Sequence, residues 1–118
     1  MQSIGIDLLN INRFNKLKEK DSFINKVFTD NELLYISKSN NSNETFAGIY
    51  CSKEAFLKAL KKGINNYSLK DIEVLHDDNK APYIVLHNEL KKLYKDIVIS
   101  LSISHDGDYA TAIVLINI

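Results

Sequence analysis

The chain has 118 residues, 45% hydrophobic and 25% charged, which is enough for one packed core and too short for two domains. Fifteen basic residues balance fifteen acidic ones to a formal net charge of zero, so bulk charge gives no support to a nucleic-acid partner. A single cysteine, Cys51, excludes an internal disulfide and the small secreted scaffolds built on them. No apolar run reaches the roughly 18 residues of a membrane span. The opening residues lack the basic and apolar regions of a signal peptide, so a reducing cytoplasm is the expected compartment.

Residues 3–11 are apolar and β-branched and predict a buried strand, interrupted by the carboxylate of Asp7. Over residues 12–28, Phe14, Leu17, Phe23, Ile24 and Val27 recur among lysines as in one or two short helices. Thr29-Asp30-Asn31-Glu32 has the form of a capping box and should open a helix through Leu33, Leu34 and Ile36. Residues 37–43 read as a loop whose serines and asparagines offer N-caps. Residues 44–62 form the strongest helical segment, with Gly63 standing where a C-terminal glycine would stop it. Residues 71–76 and 82–87 read as a β-hairpin, 88–95 as a short amphipathic helix, and 97–104 and 109–117 as strands joined across Asp106-Gly107. The order predicts one α+β domain over residues 1–118, with an antiparallel sheet of about five strands packed with a long central helix and shorter helices, three or four helices in all.

On a helical wheel with Phe46 at zero, Ile49, Tyr50, Phe56, Leu57 and Leu60 fall between about 280° and 40°, the core arc. Lys53 lands near 340°, in the middle of that arc, so its ammonium must snorkel to the edge or meet an anion, either a side chain or a ligand phosphate. Counting volume alone, Lys53→Met should then cost no more than about 1.5 kcal/mol. Glu54, Lys58, Lys61 and Lys62 gather on one flank. Ala47, Gly48, Cys51, Ser52, Ala55 and Ala59 make the other side small, which predicts close packing there and an inert Cys51 thiol.

Glu54 and Lys58 in isolation are an ordinary i,i+4 pair, and Asp7 in isolation is a turn or cap residue. A carboxylate inside an apolar strand nevertheless needs a partner, and a cation is one. Two carboxylates are too few for a closed cage but suit Mg²⁺, which keeps several waters and takes other ligands from substrate phosphates. His105, at a strand end beside two serines, is either a surface histidine or part of a phosphate site. His76 and His87 show no metal-ligand spacing and are read as structural.

Three segments carry a resemblance. Residues 5–14, Gly5-Ile6-Asp7 through Arg13-Phe14, resemble the N-terminal G-x-D-x-x-x-x-x-R-hydrophobic motif of the holo-acyl-carrier-protein synthases, the short 4′-phosphopantetheinyl transferases. Lys53-Glu54-Ala55-Phe56-Leu57-Lys58-Ala59 looks like the K-E-A-x-x-K-A helix of that family, and Ser102-Ile103-Ser104-His105-Asp106 is similar to its S-x-S-H-[DS] strand and turn. All three in order span essentially the whole chain.

The resemblance implies transfer of 4′-phosphopantetheine from coenzyme A to a serine of an apo acyl carrier protein, with release of adenosine 3′,5′-bisphosphate. It implies Mg²⁺ held by Asp7 and Glu54 with the diphosphate, Lys58 on that diphosphate, and Ser104 and His105 in the nucleotide pocket. It also implies Arg13 facing the acidic carrier, and a homotrimer with sites between subunits that accounts for a helix packed on two sides. Ile49 stands where the family commonly has arginine, and Lys61-Lys62-Gly63 replaces a more glycine-rich turn; Lys53, Lys61 and Gly63 complete the expected coenzyme A contacts. The alternative is a non-catalytic carrier-protein-binding module that keeps the fold. No contact with nucleic acid or membrane is expected.

Overall fold

Alternating side chains open the chain as β1 (Gln2–Asn10), followed by α1 (Ile11–Lys18), α2 (Asp21–Val27), α3 (Asp30–Ser37) and α4 (Ser42–Leu60) in a computed structural model that describes residues 1–61 and 67–117. β2 (Ile72–His76), β3 (Pro82–Leu86), α5 (Asn88–Leu93), β4 (Val98–Asp106) and β5 (Tyr109–Asn117) complete the order. The amphipathic stretch after β1 divides because Lys20 is extended (φ −91°, ψ 117°) and starts α2 anew. The described helices therefore number five, against the three or four expected.

Local caps set the other boundaries. Asn10 accepts from the Arg13 backbone N–H at 3.1 Å to cap α1. Both halves of the Thr29–Glu32 capping box form. Asn41 accepts from the Glu44 N–H at 3.2 Å and starts α4 two residues before its predicted first residue. The helix ends early too, since Lys61 adopts the left-handed conformation (φ 63°) and its N–H returns to the carbonyls of Leu57 and Lys58. Gly63, read as the helix stop and as a ligand contact, lies outside the described residues, as does Lys62.

The five strands form two antiparallel sheets, a three-stranded one in the order β1-β5-β4 and the hairpin β2-β3. β3 lies beside β4 without pairing to it. In register, Gly5 faces Val114, Asp7 faces Ala112, and Ala112 faces Ile103. The face carrying these residues lies against α4: Ala110, Ala112, Val114 and Ile116 are buried, and the Cys51 thiol donates to the Ala110 carbonyl at 3.5 Å.

The small side of α4 is what allows this. A Cβ on Gly5 would stand 2.1 Å from the Ala55 carbonyl oxygen and 2.5 Å from the Ala59 nitrogen. Strand backbone and helix backbone therefore touch, and the Ser3 hydroxyl donates to the Ala59 carbonyl at 2.6 Å to fasten them. The opposite side of α4 meets α1, α3 and β2, with Phe14, Phe23, Phe28, Phe46 and Tyr50 in a chain of ring contacts. Both sides of the helix are thus covered within one chain, and its two-sided packing does not call for a second subunit.

Candidate functional site

Lys53 is the first residue whose expected role changes. Its side chain is fully buried, and its ammonium donates to Glu32 Oε1 at 2.8 Å, the Val27 carbonyl at 2.6 Å and the Leu69 carbonyl at 2.9 Å. Three protons meet three acceptors, so nothing is left for a phosphate. The coenzyme A contact expected of Lys53 is corrected to a structural ion pair. Glu32 in turn accepts from the N–H groups of Thr29 and Val74, each at 2.8 Å. Burial drives Glu32 up and Lys53 down, each toward its neutral form, against their mutual attraction.

Asp7 and Lys58 come together. Gly5 lets α4 lie on β1, and Asp7, two residues on and on the same face of the strand, then stands beside the helix. The Asp7 carboxylate, 13% exposed, accepts from the Lys58 ammonium at 3.0 Å. Lys58 also donates to the Ile6 carbonyl at 3.0 Å. Glu54 sits one turn before Lys58. Two further groups of α4 border the cluster, the Cys51 thiol beside Asp7 and the Tyr50 phenol beside Glu54. Burial raises the proton affinity of both, and the two carboxylates raise it further. Both groups feel both carboxylates.

Cys51 is therefore a protonated, buried thiol, in line with its reading as an inert packing residue. Tyr50 was assigned only to the core arc, because a wheel shows the face of a residue and not where its hydroxyl ends.

Among the described residues no group of three or more His, Cys, Asp or Glu converges as a metal cluster. The donor set is instead two carboxylates flanked by an exposed ammonium. Hard oxygen donors in that number fit a cation that keeps waters and shares substrate phosphates.

His105 and Ser104 part company. Adjacent strand residues point to opposite faces, and His105 lines a cavity of about 340 Å³ beside Glu44, Thr45, Ile49 and His76. Its Nδ1 lies 3.3 Å from Glu44 Oε2. Ser104, in register with Thr111, is exposed on the outer face of the sheet. The structure therefore does not bring Ser104 into the His105 cavity of the same chain. Glu44 and Glu54 are separated along α4 by about 15 Å at 1.5 Å per residue, so the cavity and the carboxylate cluster are distinct places on one helix.

Arg13 stands exposed in the first turn of α1, directly after the strand that bears Asp7. Lys61 is exposed at the end of α4. Lys18 donates to Asn43 and lies 5.1 Å from the centre of the Phe46 ring. Sequence reasoning missed this pairing and the Glu32–Lys53 pair, since both join residues far apart in the chain.

The chain matches the family model described as the 4′-phosphopantetheinyl transferase superfamily over residues 3–114. It is 42% identical over 117 residues to a holo-[acyl-carrier-protein] synthase of Fusobacterium nucleatum, covering 96% of each chain. Its fold is similar to that of an ACPS–CoA complex of Chronobacterium ammoniagenes, with a TM-score of 0.88, 29% identity, and 99% of this chain and 97% of that one covered. It is also similar to the holo-(acyl-carrier-protein) synthase of Bacillus anthracis solved with CoA (3′,5′-ADP), with a TM-score of 0.80, 33% identity, and 97% and 94% of the two chains covered.

Proposed function

The chain belongs to the 4′-phosphopantetheinyl transferase superfamily, among the holo-[acyl-carrier-protein] synthases, and from that premise we propose how its residues move 4′-phosphopantetheine from coenzyme A to a serine of an apo acyl carrier protein. The serine oxygen attacks the phosphorus that bears the pantetheine arm, and the bond from that phosphorus to adenosine 3′,5′-bisphosphate breaks. Such a reaction needs in-line positioning and neutralised charge more than covalent help from the protein.

Asp7 and Glu54 are the residues that would hold Mg²⁺ together with the donor diphosphate. The ion would supply charge neutralisation at the phosphates. Lys58 is the cation within reach of that diphosphate: its side chain is 53% exposed, and its ammonium holds Asp7 through one ion pair and the Ile6 carbonyl through one hydrogen bond. Turning the proton now given to Asp7 toward a diphosphate oxygen exchanges one charge-assisted hydrogen bond for another. Lys61, just past the end of α4, adds positive charge on the same side. His105 and its cavity receive the adenosine end of the donor.

Arg13 is the docking residue for the acidic carrier, because a guanidinium can grip a carboxylate with two parallel hydrogen bonds where lysine cannot. Sites between subunits of a homotrimer fit the outer face of the β1-β5-β4 sheet, which leaves Ile4, Ile6, Leu8, Val98, Ile113 and Leu115 exposed. On that arrangement Ser104, which shares this face, reaches a ligand across a subunit boundary. Among the described residues no helix is long and apolar enough to cross a membrane, and the cytoplasm is the compartment we assign.

One observation supports the reading, namely the backbone contact at Gly5 that lays β1 on α4 and the ion pair of Asp7 with Lys58 beside it. The test mixes the protein with coenzyme A, Mg²⁺ and an apo acyl carrier protein and weighs the carrier. A gain of one phosphopantetheine group is expected, lost in Asp7→Ala and in Glu54→Ala with the circular dichroism spectrum unchanged. Full turnover in Asp7→Ala at saturating coenzyme A and Mg²⁺ would remove Asp7 from the site.

A further inference from the structure

The cavity at the start of α4 is poor in positive charge, and that bears on which donors it admits. Asn40 and Asn41 line it with amides, Thr45 with a hydroxyl and Ile49 with an apolar side chain. His105 already faces the Glu44 carboxylate at 3.3 Å. The second imidazole, His76, lies flat on the Tyr35 ring, with centroids 3.8 Å apart and planes 1° from parallel. Among the described residues Lys80 is the only lysine or arginine in the lining, and Glu44 offsets its formal charge.

This differs from the other end of the helix, where Lys58 and Lys61 both stand exposed. A phosphate monoester entering the cavity gives up water and, among the described residues of this chain, finds neither a guanidinium fork nor a pair of ammonium groups to replace it. The uncharged base and ribose of a nucleotide are served well by amide and hydroxyl partners and by a flat ring pair.

Resting on the reading that the adenosine end of the donor enters this cavity, we propose that the chain does not select its donor by the 3′-phosphate. Coenzyme A and 3′-dephospho-coenzyme A are then alternative donors, with base and ribose as the recognised part. The bond formed to the carrier serine and the bond broken at phosphorus are the same for both. The leaving group is adenosine 3′,5′-bisphosphate from one and 5′-AMP from the other.

The experiment measures carrier mass gain with each donor. The two kcat/KM values are expected within about threefold of each other, whereas a charge-assisted clamp on the 3′-phosphate would separate them by about tenfold or more. Asn40→Arg, at an exposed position of the lining, should raise the preference for coenzyme A by about tenfold. A strong preference in the unmodified chain overturns the proposal, and so does an unchanged ratio in Asn40→Arg. Transfer from neither donor is the failure of the transferase reading instead. Calorimetric binding of 3′,5′-ADP against 5′-AMP then still decides the selectivity: equal affinities uphold it, and clearly tighter bisphosphate binding overturns it.

Discussion

At the scale of single residues, Lys53 shows how far a charge can be carried inward when every proton has an acceptor. Its partner Glu32 is as fully buried as it is. Removing one member of such a pair leaves the other charge desolvated and alone, so Lys53→Met should cost about 3–5 kcal/mol. A urea titration reads this as a lower midpoint at unchanged slope, and a loss below 1.5 kcal/mol would restore the view that only the volume of the stem matters. The helical wheel put Lys53 in the core correctly; Glu32 was legible only as a capping residue, because nothing in a sequence joins positions 32 and 53. His76 gives the pH prediction. Burial lowers its pKa from 6.5, against the pull of Asp77. The folded chain therefore prefers the neutral ring, while the unfolded chain takes up a proton first as pH falls below about 6.5. The His76 contribution to stability is complete above that pH and is lost as pH falls through and below it. Thermal unfolding of the wild type and His76→Phe between pH 7.5 and 5.5 checks this, and the acid loss attributable to His76 should vanish in the variant. Equal acid sensitivity in both chains would assign the loss to other groups.

At the scale of elements, the contact between β1 and α4 decides where the chemistry sits. Gly5 has no side chain to yield, and the atoms that an added methyl would strike are helix backbone. Gly5→Ala should therefore either destabilise the chain by about 3 kcal/mol or push α4 off the strand. In the second case Asp7 moves away from Glu54, so transfer activity should fall further than the folded fraction does. A variant with normal stability and normal turnover would show that the close approach is dispensable. The strands, the long helix and the small-residue side of α4 were all readable from hydrophobic pattern. The reason for the glycine was not, because spacing alone does not say that position 5 lies over residues 55 and 59. Ser104 and His105 make the converse case. Strand alternation already separates two neighbouring residues, and grouping them in one pocket followed the motif rather than the geometry of a strand. The end of α4 was hidden for another reason: a lysine, Lys61, adopts the left-handed conformation that ends it.

At the scale of the whole molecule, the three-stranded sheet divides the chain into a covered side and an apolar side open to solvent. The inner face is closed by α4. The outer one shows Ile4, Ile6, Leu8 and Val98 each more than half exposed. A sheet face of this kind on a chain without net charge is where assembly is expected. Leu115 is the best position at which to test it, since it lies outward on the central strand β5, between Ile4 of β1 and Ser100 of β4, and is 37% exposed. A charge there touches no part of the chain's own core, so Leu115→Glu should change the stability of the isolated fold by no more than about 0.5 kcal/mol. Three copies of that carboxylate brought together without cations would, in contrast, oppose assembly strongly. Sedimentation is expected to find a trimer for the wild type and a monomer for Leu115→Glu, with carrier modification lost alongside assembly if each site draws on two subunits. Retained modification by a monomeric variant would place the whole site within one chain. A wild type that sediments as a monomer would leave the outer face to a different partner.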